Sequence, residues 1–367
     1  MGSSTFKPIE LAARRLFNTY FLKERTPAVI GSPDKGLVLG NTPSILFLRQ
    51  DRIGDVLVST PIIKAVRDKY PGSRIDMLLS RNNEVVRYAI APYINTTLIY
   101  RKTALSLIDV VRRIRSNKYD VVVDLLDNAS STSSMIVAYS GARYRLGIAK
   151  ENAGVYSHVV PLISRADHHI VERIGQLLMA FGIEPRTIDL RPIYPLTTED
   201  REAARSSLGI DHAGKRLGVI LGGSMEGKRL GREKTIDVLK RLQSSRRDMM
   251  YYIFGAPGEE RDVEVIAKET GAVAVPPSAS FHHFAAALNQ MSCLWTPDTS
   301  TVHLAAAWNM PCCVMFNTDV EGRMPWYPYH THCEAVFSES GTIATLSTMD
   351  IVQAIERLFA YCDARKD

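Results

Sequence analysis

The sequence has no long apolar run. Nothing in its 367 residues approaches the roughly 18 apolar residues that span a bilayer, and the start lacks the layout of a signal peptide. The opening MGSSTF misses the myristoylation pattern, because Phe6 stands where Ser or Thr is required. These absences predict a cytoplasmic chain. Cysteine is scarce too. Cys293, Cys312, Cys313, Cys333 and Cys362 show no C-x-x-C spacing, which argues against a metal site and for idle thiols in a reducing compartment. There is no G-x-G-x-x-G turn for a dinucleotide, no internal repeat and no low-complexity segment. Motifs that read DNA or RNA are missing and the basic residues are scattered, so nucleic acid is not an expected partner.

What is present points to an anionic ligand and two domains. The net charge is +6, which suits nucleotide phosphates or lipid headgroups, and the length suits two cores rather than one. Residues 8–25 read as an amphipathic helix, with Ile9, Ala13, Leu16, Phe17 and Tyr20 on one face and Arg14, Arg15, Lys23 and Arg25 around it. Such a helix either packs on its own domain or rests on an anionic membrane. Apolar, strand-like runs then recur at 45–49, 74–80, 96–101, 119–126 and 144–148, with amphipathic helical stretches between them. The rhythm breaks at IDLRPIYPLTTED (188–200), read as a linker. It resumes at 216–222, 249–255, 272–277, 293–298 and 311–316. Continuous apolar strands alternating with helices imply parallel sheets covered on both faces. The expected fold is α/β: two doubly wound Rossmann-like domains, 1–190 and 191–367, facing across a cleft. Ligands then belong at the carboxyl ends of the strands.

Three stretches just after strands carry chemistry. In RQDRIGDVLVSTP (49–61), Arg49, Asp51, Arg52 and Asp55 crowd a turn containing Gly54, with a helix under way by Pro61. Asp55 is either a general base or an acid favouring a helix N-terminus. In WTPDTSTVHLAAAWNMP (295–311), Asp298 is a natural N-cap, with Thr299, Ser300 and Thr301 in the first turn of a small-residue helix and His303 on its flank. A helix start of this kind binds anions. In FGAPGEERD (254–262), Gly255 ends a strand, and Glu259 or Glu260 at the next helix start can accept two ribose hydroxyls.

A fourth stretch, GGSMEGKRL (222–230), matches the phosphate-binding P-loop except that Arg229 stands where the metal-holding hydroxyl belongs. A P-loop nucleotide hydrolase is therefore a rival reading. So is a sugar-nucleotide-binding module without catalysis.

RIGDVLVSTPIIKAVR together with PDTSTVHLAAAWNMPCCVMF resembles glycosyltransferase family 9, the ADP-heptose:lipopolysaccharide heptosyltransferases, over roughly residues 45 to 330. Gly54, Asp55, Thr60 and Pro61 match its first motif. Asp298, Thr299 and His303 to Ala307 match its later one. The resemblance implies a glycosyltransferase-B fold, an acceptor-binding N-terminal domain and a donor-binding C-terminal domain. By the same resemblance Asp55 is the general base, and Lys228 contacts donor phosphates beside Gly223 and the Ser224 hydroxyl. Glu259 (or Glu260) holds the ribose, Asp298 the heptose, and Thr299 with its helix start the pyrophosphate. Two departures concern the donor: Ser300 replaces a usual Gly, and RLGRE replaces a usual Trp-Pro.

GGSMEGKRL then offers Lys228 and Arg229 as fixed cations for a leaving diphosphate, which needs no metal and no cofactor. The expectation is an inverting transfer from ADP-heptose to a lipopolysaccharide-core hydroxyl. Arg52, Gly54, Arg143 and Arg145, with Lys64 and Arg81, are the candidate contacts to an anionic glycolipid or oligosaccharide acceptor. Peripheral attachment to the inner membrane follows from these charges and the first helix. Capsule, O-antigen or protein glycosylation with another nucleotide-sugar keeps the same chemistry. The protein-modifying branch, whose relatives carry a cysteine-bound iron, is disfavoured by the cysteine spacing.

Overall fold

The computed structural model describes residues 26–211, 214–223, 225–318, 322 and 324–365. The helix expected over 8–25 and the expected donor contact Ser224 lie outside them. The chain divides into two compact units between Leu190 and Arg191, and each is described by itself.

The first unit runs through β1 (Ala28–Val29), β2 (Ile45–Leu48), α1 (Ile53–Lys69), β3 (Ile75–Ser80), β4 (Thr96–Tyr100), α2 (Ala104–Asn117), β5 (Val121–Asp124), α3 (Ser131–Tyr139), β6 (Tyr144–Ile148), β7 (His158–Val160) and α4 (Ile170–Gly175). The sheet order is β1-β7-β6-β5-β2-β3-β4, and every pairing is parallel. All four residues of β2 are fully buried, as a strand covered on both faces must be. One face carries a core of Leu46, Leu48, Leu78, Val110, Ile114, Val122 and Ile136. Strand order reverses between β2 and β5. That switch point is where doubly wound sheets open a crevice for ligands.

Helix α1 begins at Ile53, well before Pro61, which sits inside it. Proline has no N–H, so Leu57 loses its usual partner four residues on. The Thr60 hydroxyl donates to the Leu57 carbonyl instead, at 2.7 Å. The Thr60-Pro61 pair is thus a local repair that keeps a buried helix continuous behind the turn carrying Asp55.

The second unit runs through α5 (Thr198–Ser207), β8 (Lys215–Ile220), α6 (Arg232–Ser245), β9 (Met249–Phe254), α7 (Glu260–Thr270), β10 (Val273–Ala274), α8 (Phe281–Leu288), β11 (Cys293–Pro297), α9 (Ser300–Ala307), β12 (Cys312–Phe316), β13 (Cys333–Phe337) and α10 (Thr348–Ala364). The order β10-β9-β8-β11-β12-β13 is parallel throughout and reverses between β8 and β11. Val238, Leu239 and Leu242 of α6 share a core with Ile351, Ile355 and Leu358 of α10 around the buried Trp295.

The stretch read as a linker is more structured than its prolines implied. Tyr194 is buried and packs edge-on against Phe281 and Trp308. Thr197 and Asp200 form a reciprocal capping box, so residues 198–200 open α5 rather than extend a linker.

Candidate functional site

In the first unit the site grows from the turn between β2 and α1. Arg49, the first residue past β2, is almost fully buried at 1% exposure. Its Nε donates to the Asp55 carbonyl at 2.8 Å and one terminal nitrogen to the Leu125 carbonyl at 2.7 Å. The first contact fixes the start of α1. The second ties it across the switch point to the end of β5. The same guanidinium lies 3.4 Å from Asp51 Oδ2 and 3.5 Å from Asp55 Oδ1. Burial disfavours its charge, but Asp51, Asp55, Asp127 and Asp124 outweigh that and raise its pKa. Burial also pushes the Asp51 carboxyl up to about 7, with Arg49 opposing and Asp55 reinforcing the shift. A quarter of the Asp51 side chain still reaches solvent.

Asp55 sits at the third helical position, 7% exposed. Its Oδ2 accepts the Arg52 N–H at 3.1 Å, so the carboxylate does serve the helix N-terminus, as one of the two sequence readings held. Its Oδ1 is turned to Arg49. One oxygen is held by a backbone donor and the other faces a buried cation at ion-pair distance, so the orientation of the carboxylate is fixed. Arg52 is exposed beside it and Gly54 partly so.

Arg143 and Arg145 are not brought to this turn. Arg143 precedes β6 and stacks on Tyr144, and Arg145 is the second residue of that strand. In a parallel sheet both lie at the amino end, opposite the edge that carries Asp55. Lys64, three turns into α1, is paired with Asp68 at 2.5 Å. Arg81 alone of these follows a strand at the carboxyl edge, directly after β3.

Sequence reasoning named neither Asp124 nor Lys150. Asp124, wholly buried at the end of β5, accepts from Lys150 at 3.1 Å and from the Tyr156 hydroxyl at 2.5 Å. Lys150 also donates to the Leu126 carbonyl. This paired cluster props the loop that receives Arg49. The carboxylate closing the apolar run VVVD was its only signal.

In the second unit three loops that leave the neighbouring strands β9, β8 and β11 converge. Lys228 donates to Asp298 Oδ2 at 2.7 Å and to the Asp298 carbonyl, which draws the loop after β8 onto the start of α9. Gly223 permits this approach, since a Cβ there would lie 2.7 Å from Thr299 Cγ2. Arg229 reaches Glu259 Oε1 at 3.3 Å, and Glu259 Oε2 accepts the Ala256 N–H at 2.8 Å. Glu259 is therefore buried and occupied at the start of α7 rather than held open. Glu260 is turned to the Gly258 N–H. Gly255 is a packing glycine, where a Cβ would meet Val263 at 2.6 Å.

Asp298 does not cap α9. Thr299 occupies the N-cap position, without a side-chain cap bond, because the Asp298 carboxylate is spent on Lys228. The Thr301 hydroxyl bridges Thr296 at 2.6 Å and Thr299 at 2.7 Å. With its residue 3% exposed, Thr301 orients Thr299 rather than presenting its own hydroxyl. Ser300 is partly exposed at the first helical position. His303 is buried, its ring 5.8 Å from that of Trp326. The start of α9 thus sets first-turn backbone N–H groups, Thr299 and Ser300 beside Lys228, with Arg229 on the neighbouring Glu259; a helix start next to a cation suits a diphosphate.

GGSMEGKRL is not a P-loop. In that motif the helix opens at the Gly-Lys pair and its N–H groups surround the phosphates. Here residues Glu226–Lys228 form a single 3-10 turn, Arg229 is extended, and α6 starts only at Arg232.

Two doubly wound parallel units, each with polar residues gathered at its switch point, define a glycosyltransferase-B type of fold. The model of glycosyltransferase family 9 (heptosyltransferase) matches residues 107–355, and the chain belongs to that family. Lipopolysaccharide heptosyltransferase 3 of Escherichia coli (strain K12) is 32% identical over 148 residues, 35% of this chain and 40% of that protein; the match thus spans less than half of the relative. The glycosyltransferase family 9 structure from Veillonella parvula DSM 2008 superposes with a TM-score of 0.73 at 18% identity, covering 89% of this chain and 99% of the other. E. coli heptosyltransferase WaaC, solved with ADP-2-deoxy-2-fluoro heptose, gives 0.65 at 17% identity over 86% and 99%. At these identities the superpositions speak for the fold alone.

Proposed function

We propose that this chain is an inverting glycosyltransferase that moves a heptose from ADP-heptose to a hydroxyl of an anionic, lipopolysaccharide-core-like acceptor. Asp55 takes the proton of the acceptor hydroxyl. The acceptor oxygen forms a bond to the anomeric carbon as the bond from that carbon to the ADP oxygen breaks on the opposite face, inverting the centre. The electron pair leaves on ADP, where Lys228, Arg229 and the N–H groups at the start of α9 offset the growing diphosphate charge. Neither a metal nor a cofactor takes part. Asp298 and Glu259 serve the donor's sugar and ribose, and each exchanges its present cation for a donor hydroxyl. The supporting observation is the division of charge: an oriented carboxylate at one unit's switch point, and at the other's a lysine beside a helix start with an arginine on the adjoining loop. The site of action is the cytoplasm, at the face of the membrane that bears the acceptor. Among the described residues no helix is long and apolar enough to cross a membrane.

Turnover across a panel of ADP-, GDP- and UDP-sugars, with and without EDTA, tests this reading. ADP-heptose should be preferred and EDTA should leave the rate unchanged. Loss of activity in chelator would exclude the metal-free route. A second reading keeps the reaction but changes the sugar, for a capsule, O-antigen or protein acceptor. The Arg229–Glu259 pair and Ser300 favour it locally, because both alter the donor side. Preference for a GDP- or UDP-sugar would select it.

A further inference from the structure

We propose that the carboxyl rim of β3 and β4 is a surface that rests on a bilayer containing anionic lipids. The two strands are adjacent and parallel, with Ser80 opposite Tyr100. The chain therefore leaves both at the same edge, and the Arg81 N–H donates to the Tyr100 carbonyl at 3.2 Å. From residue 81 to 108 the basic side chains are Arg81, Arg87, Arg101 and Lys102, against one acid, Glu84. All four cations are exposed, and among the described residues none of them is in an ion pair.

Large apolar side chains accompany these charges on both segments: Val85 is 45% and Tyr88 52% exposed after β3, and Leu105 80% and Ile108 49% after β4. Four water-facing apolar groups of this size along two segments that leave adjacent strands need a reason. Leu105 is not on a fraying end. Thr103 caps α2 by accepting the Ser106 N–H at 3.2 Å, and the Ser106 hydroxyl accepts the Arg101 N–H at 3.0 Å. The first turn of α2 is held in place with Leu105 pointing outward.

Interleaved cations and apolar side chains match an anionic membrane interface, where headgroups take the charges and the acyl boundary takes the apolar tips. A soluble anion would need the cations alone. The rim shares its edge with the Arg52–Asp55 turn on β2, the next strand in. Bilayer contact there would bring a membrane-embedded acceptor to Asp55; that consequence rests on the transferase reading, whereas the contact itself does not.

The test is co-sedimentation of the full chain with phosphatidylcholine vesicles, with and without phosphatidylglycerol, in the absence of donor and acceptor. Its failure would leave the transfer reading standing, and the donor panel can fail without touching it. Binding should require phosphatidylglycerol. Each cation near an anionic surface contributes about fivefold in partitioning, so Arg81→Gln/Arg101→Gln/Lys102→Gln should weaken binding at least about tenfold. Leu105→Gln/Ile108→Gln should do so comparably, both variants keeping the parent melting temperature. Met349→Gln, at an equally exposed position in the second unit, should have no effect. Undiminished binding by the rim variants would overturn the proposal. So would equal binding to neutral vesicles, or a loss confined to Arg14→Gln/Arg15→Gln, which would assign the contact to the N-terminal segment.

Discussion

Replacing Asp298 by Asn should tighten the binding of ADP. Lys228 lies beside the start of α9, and in the free protein its ammonium is held by the Asp298 carboxylate at 2.7 Å. An incoming phosphate must win Lys228 from that carboxylate, and the carboxylate itself repels the phosphate. The Lys228 and Asp298 side chains are 15% and 26% exposed, so solvent screens the pair and its worth is about 1 kcal/mol. Removing the charge should lower the Kd for ADP about fivefold, and the Asp298 carbonyl would still hold Lys228 in place. ADP-heptose should gain less, or lose affinity, because Asp298 is also assigned to the sugar. Titration calorimetry of both ligands at about 0.1 M salt measures the two effects, and the ADP gain should shrink at higher salt. Weaker ADP binding by Asp298→Asn would refute the competition and make the ion pair part of the phosphate site.

Three further outcomes follow from the first unit. Thr60→Val removes the hydroxyl that serves the Leu57 carbonyl beneath Pro61, and should cost about 1–3 kcal/mol in urea unfolding with little change in KM. Arg49→Met strands the Asp51 and Asp55 carboxylates and should cost about 3 kcal/mol or more by the same measurement. Asp51 has a folded pKa of about 7, above its ordinary 3.8, so the folded chain holds this proton more tightly than the unfolded one. Its contribution to stability is greatest below about pH 4 and is lost as pH rises through about 7. Asp51→Asn should therefore stabilise the protein relative to the parent at about pH 8, and the advantage should fade at about pH 5.

The sheets were legible because their strands are buried on both faces: ILFL, MLL and VVV leave no other reading. The strands that escaped notice are the short or marginal ones. β1 has two residues, both exposed, β7 has three, and β13 at the edge of its sheet is only partly buried. The motif residues after β2 and β11 were found, but not how they are wired. Asp298 has the sequence position of a helix cap, and nothing local reveals a lysine seventy residues earlier that claims its carboxylate. Arg49 reads as one charge among four; only the fold shows that it alone crosses the switch point. Arg143 and Arg145 were chosen for charge, which carries no information about which end of a strand a residue occupies.

The measurement closest to the central claim is the rate of Asp55→Asn set beside its donor affinity. The substitution keeps the size of the side chain and its acceptor for the Arg52 N–H. Donor binding should stay within about twofold of the parent, while kcat falls at least about 10²-fold, the usual contribution of a positioned base. An unchanged kcat would show that the Asp55 carboxylate only finishes the helix, and that some other group takes the proton.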